Sequence, residues 1–362
     1  MAEKFILHVG FHKTGTTAIQ TSLHHQRDSL LEHGITYHYN RARAEHEAAW
    51  GLNAKVWGWK NRGGKETPIS KWNRFAKKVN KTKGTVVASS EFFSELNLEK
   101  IKKIRDDITT DQVQIVFTIR PLAKMLASSY QQYLKYGIKA TYEQWLHAML
   151  DEPGKSKQTP SFWQRNFHGQ SIQNWADVFG TQNVIVMVVD EKNPQALYSQ
   201  FNDYLGLPEG RLVEQASGGN RSLTASEVEL LQLINLKYPK DRAWDDYTIF
   251  VRQTAIKALT DKKAPEGSEK LQTPQWAIDL AAKLTAESIE QIKSSGVRVI
   301  GDLDTLSSTK VPSGENPKIG LIDVESVADM ILALDQKIIR KMRWKTVLVE
   351  VLRRIKARLK GN

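Results

Sequence analysis

Through its first half the chain alternates short apolar runs with segments whose apolar residues recur every three or four positions. Phe5–Val9, Thr85–Ala88, Val113–Ile119 and Val184–Val189 are the apolar runs. Runs of this length suit strands buried on both faces of a sheet. Between the first two, Thr16–Glu32 sets Ile19, Leu23 and Leu30 on one side, which predicts a helix. The alternation predicts an α/β fold with a mostly parallel sheet flanked by helices. Residues 40–80 (Trp50, Trp57, Trp59, Lys60, Arg62, Lys65, Trp72) read as an irregular excursion with helical pieces, and Asp151–Ser156 as a surface loop.

After Asn220 the pattern turns helical, over Thr224–Leu236 and Pro274–Ser294, with a short extended piece at Val297–Leu303. A Ser/Pro/Gly/Asn linker, Thr305–Asn316, leads to a helix at Val324–Leu334 with Asp323 as N-cap. The expected organisation is a core over 1–222, a helical C-terminal extension of the same domain over 223–335, and a basic amphipathic tail over 336–362. No internal repeat is visible.

Composition narrows the chemistry. An apolar share of 40% and a charged share of 25% are those of an ordinary globular protein. The absence of cysteine removes disulfides, thiolate metal sites and cysteine nucleophiles, and fits a reducing compartment. Phe5–Val9 is too short for a signal core, and no run of about 18 apolar residues spans a bilayer. The expectation is a cytoplasmic protein. The net charge of +12 invites a nucleic-acid reading, but ten basic residues stand against Glu350 alone from Lys337 onward. That surplus of nine leaves +3 for everything before it, so the body is only mildly basic and no nucleic-acid partner is expected.

Gly10-Phe11-His12-Lys13-Thr14-Gly15-Thr16-Thr17 has G-x-x-x-x-G spacing between a predicted strand and a predicted helix. Backbone N–H groups and the helix N-terminus favour an anion there. An NTPase loop would set Lys directly after the second glycine, followed by a magnesium-holding Ser or Thr. Here Lys13 lies inside the loop and Thr16-Thr17 follow the glycine, so the usual magnesium arrangement is not written. The competing readings are a structural glycine-rich turn and a P-loop small-molecule kinase.

The Lys-Thr-Gly-Thr-Thr string resembles the 5′-phosphosulfate loop of sulfotransferases, which have a P-loop-type fold and use 3′-phosphoadenylyl sulfate (PAPS) as donor. Val116–Pro121 is followed by Met125–Tyr130, and Arg120 to Ser128 has the spacing of the family's 3′-phosphate site. The resemblance implies that Lys13, Thr14, Gly15, Thr16 and Thr17 hold the 5′-phosphosulfate and that Arg120 and Ser128 hold the 3′-phosphate. It also implies adenosine 3′,5′-bisphosphate as product, with no metal required. Val86–Glu91 looks like the Ser-Ser-Glu segment of bacterial enzymes similar to those acting on carbohydrate hydroxyls, which makes Glu91 the base. The competing reading is a first-turn helix Glu near a Ser cap.

His12, in the loop itself, is the rival base, and Lys13 would neutralise charge on the sulfuryl group and the leaving oxygen. Gly218–Leu223 resembles the family's late Asn-x-Ser stretch, where Arg221 would add a phosphate contact. The equal alternative is a turn into a helix capped by Ser222 or Thr224. The implied acceptor is a hydroxyl-bearing molecule, by resemblance a saccharide, and the Trp-rich excursion offers ring faces for it. No metal cluster stands out among the histidines; His24-His25 and His8 read as a helix surface and a strand.

Trp344, Leu348, Leu352, Ile355 and Leu359 recur at helical spacing among arginines. A packed or solvated helix is the favoured reading of this tail. Peripheral contact with the inner membrane face is the minority one, and a vestigial nucleotide loop in a polyanion- or membrane-binding module is the non-enzymatic alternative.

Overall fold

The computed structural model describes residues 1–37, 44–215, 221–308, 310–316, 327, 330–334 and 351–352. The expected basic tail and the Gly218–Asn220 stretch fall outside them, apart from Val351 and Leu352 of the tail. The expected 324–334 helix is described only at 327 and 330–334, which are helical. No helix among the described residues is long and apolar enough to cross a membrane.

Six strands form one parallel sheet: β1 (Ala2–His8), β2 (Ile35–Tyr37), β5 (Gly84–Ser89), β6 (Val113–Ile119), β7 (Val184–Val188) and β8 (Arg298–Ile300). Their spatial order is β2-β5-β1-β6-β7-β8. A separate antiparallel pair, β3 (Val56–Trp57) and β4 (Lys65–Glu66), lies within the Trp-rich excursion. The fold is therefore α/β, a parallel sheet flanked by helices.

The four apolar runs are the four central strands because each is buried on both faces. Successive side chains point to opposite sides. Phe5, Leu7, Val86, Ala88, Ile115, Phe117, Val184 and Val186 pack into one apolar cluster with Trp72, Ile172 and Trp175. Ile6, Val87, Val116, Ile185 and Met187 pack into the other with Ile19, Leu23 and Phe201. Both edge strands are three residues long, too short to announce themselves. β8 falls within the extended piece expected at Val297–Leu303, and β2 had no signal.

The helix expected over Thr16–Glu32 is two helices, Thr16–His25 and Arg27–Glu32, separated at Gln26 (φ −93°, ψ 9°). The Trp-rich excursion contains the helices Ala44–Leu52 and Ser70–Lys81. The later helices run Ala225–Lys237, capped by Thr224 with a reciprocal Glu227 bond, and Gln275–Ser295.

The chain divides into two compact units. One comprises Met1–Tyr133, Ala140–Ser217 and Gln272–Asn316; the other comprises Leu134–Lys139, Gly218–Leu271 and Pro317–Asn362. The first takes in the Gln275–Ser295 helix and β8, and so runs well past residue 222, where the sequence pattern ends the core. The reason is β8 itself, which needs β7 as its partner.

Phe117 is fully buried, stacks on Phe11 at 5.0 Å and meets Trp175 edge-on at 6.3 Å. Truncation to Ala should cost about 3–5 kcal/mol, read as a lowered urea midpoint at unchanged m-value.

Candidate active site

The candidate side chains leave from the C-terminal ends of four adjacent strands. β1 runs into the glycine loop, β5 into Ser90-Glu91, β6 into Arg120 and β7 toward Glu191. Parallel strands end on one edge, so the register pairs His8 with Ser89 and Ile119 with Val188. Open α/β sheets bind ligands at this edge.

The loop holds its shape through its own atoms. Gly10, Lys13 and Gly15 have φ of 53°, 68° and 88°. Lys13 takes a left-handed conformation that L-residues rarely adopt. A Cβ on Gly10 would stand 2.8 Å from Thr16 Oγ1, and one on Gly15 would stand 2.8 Å from a Leu197 methyl. Gly15 is the N-cap of Thr16–His25, so the helix's first N–H groups, among them those of Thr16 and Thr17, face the loop without intrahelical acceptors.

The Thr14 hydroxyl donates to the Phe11 carbonyl at 2.6 Å and lies 2.7 Å from Thr118 Oγ1. Having given its one proton to Phe11, it must accept from Thr118. His8 then gives Nε2–H to Thr118 at 3.3 Å and accepts the Ser89 hydroxyl at Nδ1, 2.8 Å away. Burial lowers the His8 pKa to about 4, so this chain of neutral groups stands at neutral pH. The Thr16 hydroxyl also turns inward, 3.2 Å from the Phe11 carbonyl. Thr14 and Thr16 thus brace the loop with their hydroxyls and offer a ligand only their backbone.

Ser90 caps a tight 3-10 turn, Glu91–Glu95, and its hydroxyl is held by His46 Nδ1 at 2.7 Å. Gln20, on the helix after the loop, donates at 3.2 Å to both the Ser89 carbonyl and Glu91 Oε2. Burial pushes the Glu91 carboxyl up, but the His12 and His46 imidazoles, its backbone bond and Gln20 outweigh that and hold its pKa below the ordinary value. Glu91 is therefore a carboxylate at neutral pH, and it acts electrostatically on Lys13, whose pKa burial lowers.

His12 points elsewhere. Its Nε2 lies 3.0 Å from Glu95 Oε1, a close contact out of line for a hydrogen bond. Burial, with Arg165 adding to it, lowers its pKa to about 4.

Glu95 is the residue that sequence reasoning missed. Its carboxylate is 1% exposed and joins Lys55 Nζ, Arg165 Nε at 2.9 Å and the His12 contact. Burial alone would raise its pKa; Arg165, His12 and Lys55 reverse that and hold it far below the carboxylate range. Lys55 and Arg165 also face the Phe92 ring, at 5.4 and 5.9 Å from its centroid. His12, His46 and Trp50 meet the same ring edge-on, 4.9–5.1 Å away, and Trp57 lies against Trp50 at 4.7 Å. Trp50 and Trp57 thus form an aromatic wall against Phe92, the residue that follows Glu91, whereas Trp72 is buried core.

Arg120 donates from Nη1 to the Lys13 carbonyl at 2.8 Å. Its Nε and Nη2 grip the Glu191 carboxylate, the latter at 2.9 Å, and Lys124 Nζ reaches the same carboxylate at 3.1 Å. Two segments 107 residues apart in sequence therefore share one hydrogen bond. Ser128 is half-buried on the Leu122–Leu134 helix, its hydroxyl donating to the Met125 carbonyl at 3.1 Å.

Arg221 lies in the second unit and is fully engaged there. Its donors go to the Lys262, Ser222 and Leu259 carbonyls and to both Glu227 oxygens, five bonds for five N–H groups. The phosphate contact expected of Arg221 has no donor left; its guanidinium ties the start of the Thr224-capped helix to residues 259–262.

No protein-family model and no curated protein matches this sequence. Solved structures similar at low identity include two sulfotransferases. A sulfotransferase from Alicyclobacillus acidocaldarius is 15% identical, with 68% of this chain and 99% of that one covered at a TM-score of 0.42. The sulfotransferase domain from the curacin biosynthetic pathway is 13% identical, with 60% and 78% covered at a TM-score of 0.33. At these scores the likeness is one of outline, and the functional reading rests on the chain's own residues.

Glu95→Gln should cost about 3–5 kcal/mol at neutral pH, because it removes the buried charge that Lys55 and Arg165 share. The wild type should lose stability as pH falls from about 6.5 toward 4, since the unfolded chain protonates histidines that folded His8 and His12 keep neutral. Glu95, depressed when folded, adds a further loss below its ordinary value of 4.5. Urea midpoints across that range should show the lower limb flattened in Glu95→Gln.

Proposed function

We propose that this chain is a sulfotransferase that moves a sulfuryl group from PAPS to a hydroxyl of a saccharide. The observation that carries the reading is the hydrogen bond from Arg120 to the Lys13 carbonyl. It sets a guanidinium fork beside a strained glycine loop, the pairing that a nucleotide with phosphates at both its 5′ and 3′ positions requires. Lys13 and the N–H groups of Thr14 to Thr17 would hold the 5′-phosphosulfate, with Arg120 and Ser128 on the 3′-phosphate.

In this mechanism the Glu91 carboxylate takes the proton of the acceptor hydroxyl as its oxygen bonds to sulfur. The bond from sulfur to the bridging phosphate oxygen breaks, and adenosine 3′,5′-bisphosphate leaves with the electron pair. Lys13 and the helix N-terminus stabilise the charge that gathers on the leaving oxygen. Glu91 suits the base role because Gln20 orients it without blocking both oxygens. His12 is turned to Glu95 and serves to position that wall. The rings of Trp50 and Trp57 supply faces on which a sugar can stack, which is the ground for the saccharide assignment.

Calorimetry without magnesium should register binding of adenosine 3′,5′-bisphosphate by the wild type and a loss of about tenfold or more in Arg120→Ala. No binding by the wild type would sink the reading. Glu91→Gln should bind the bisphosphate as the wild type does while turnover with PAPS falls about 10²–10⁴-fold.

A further inference from the structure

Arg120 and Lys124 both direct their charge at one carboxylate. Arg120 directly follows β6 and Lys124 sits in the first turn of the Leu122–Leu134 helix, so both cations stand on or directly beside regular elements. Glu191 does not. The last ladder bond of its strand is Val189 N–H to the Ile119 carbonyl at 3.0 Å. Beyond it Asp190 turns the chain by accepting the Lys192 N–H at 2.8 Å, and residues 190 and 192–195 are exposed. The carboxylate is thus delivered by a surface loop to two cations fixed on the scaffold.

The carboxylate takes the best edge of the guanidinium. Nε and Nη2 present the parallel pair of N–H groups that grips a carboxylate or phosphate bidentately, and Glu191 fills it. Nη1 is already engaged with the Lys13 carbonyl. A phosphate set against the remaining outer N–H groups would lie beside the Glu191 charge, in a site where all three side chains are only 19–29% exposed and water screens poorly. A phosphate monoester carries about two negative charges at neutral pH, a better match for two cations than one carboxylate.

We propose that Glu191 is the resident counter-anion of the 3′-phosphate site, exchanged for that phosphate when the nucleotide binds, and that Lys124 is the phosphate's second cationic ligand. The inference rests on the reading that this chain binds a 3′-phosphorylated nucleotide. Two consequences follow. A nucleotide with only a 5′-phosphate cannot displace Glu191, so the exchange selects for the 3′-phosphate. Return of Glu191 to Arg120 and Lys124 helps expel the bisphosphate product. Because Arg120 also holds the Lys13 carbonyl, the guanidinium can keep that bond while its other edge changes partner.

The test uses full-length wild type, Glu191→Gln and Lys124→Ala, with adenosine 3′,5′-bisphosphate and adenosine 5′-phosphate as calorimetric probes. Thermal unfolding checks that each variant is folded. Glu191→Gln should bind the bisphosphate roughly three- to tenfold more tightly, and Lys124→Ala roughly tenfold more weakly. Affinity for the 5′-phosphate should stay within about twofold in both variants, since neither touches the glycine loop.

Weaker or unchanged bisphosphate binding by Glu191→Gln would overturn the exchange and make Glu191 a support for Arg120. Unchanged binding by Lys124→Ala would remove Lys124 from the site, and that arm reads independently of how well the Glu191 variant folds. A wild type without affinity for the bisphosphate takes down the donor assignment and this inference together; wild-type binding with the wrong response in the variants takes down this inference alone.

Discussion

The bond between the Arg120 guanidinium and the Lys13 carbonyl is the contact on which the rest of the site depends. Lys13 sits at φ 68°, a conformation that costs an L-residue about 1–2 kcal/mol. A hydrogen bond from a charged donor contributes about 1.5–3 kcal/mol, enough to offset it. The lysine is therefore kept turned by a residue at the end of a different strand as well as by the Thr14 and Thr16 bonds within the loop. That strand can do so because β6 is hydrogen-bonded directly to β1 and continues three residues beyond their paired stretch. Beneath the loop, the neutral chain of Thr14, Thr118, His8 and Ser89 joins β1 and β6 and adds β5 to them. The cradle is thus a property of the sheet's central register, and the flanking helices supply its walls.

The central strands and the glycine loop were legible in the sequence because each rests on local pattern. A strand buried on both faces leaves an unbroken apolar run, and a loop that needs left-handed backbone leaves glycines. The short edge strands were harder, since three residues carry no period. The break at Gln26 was invisible because both halves of the predicted helix are helical and only one residue departs from the spiral. Arg120 and Glu91 could be singled out because each follows a readable strand. Glu95, Lys55, Arg165 and Glu191 could not, because a charged residue reads as solvated surface until its partner is known. Those partners lie 40–71 residues away in sequence. Arg221 illustrates the converse, two readings that the sequence left equal. A resemblance in a short stretch suggested a ligand contact, while the Thr-x-x-Glu capping signal beginning three residues later described the surroundings that fill its donors.

One tight turn carries two carboxylates, and their surroundings separate their roles. Glu91 and Glu95 lie four residues apart at the two ends of the Glu91–Glu95 turn, and both are held below their ordinary pKa values. Ionisation alone therefore does not distinguish them. Glu95 is closed in by Arg165, Lys55 and His12, so accepting a proton there would take the opposing charge from two half-buried cations at once. Glu91 accepts a hydrogen bond from a neutral amide, Gln20, and its charge also supports Lys13, whereas Glu95 is ion-paired directly to Lys55 and Arg165. A general base must take up a proton and release it again in each turnover, so its two states need to lie close in free energy. On that ground Glu91, not Glu95, is the proposed base. Glu95 is the fixed charge that orders Lys55, Arg165 and His12 around Phe92, and through that ring sets the position of the aromatic wall.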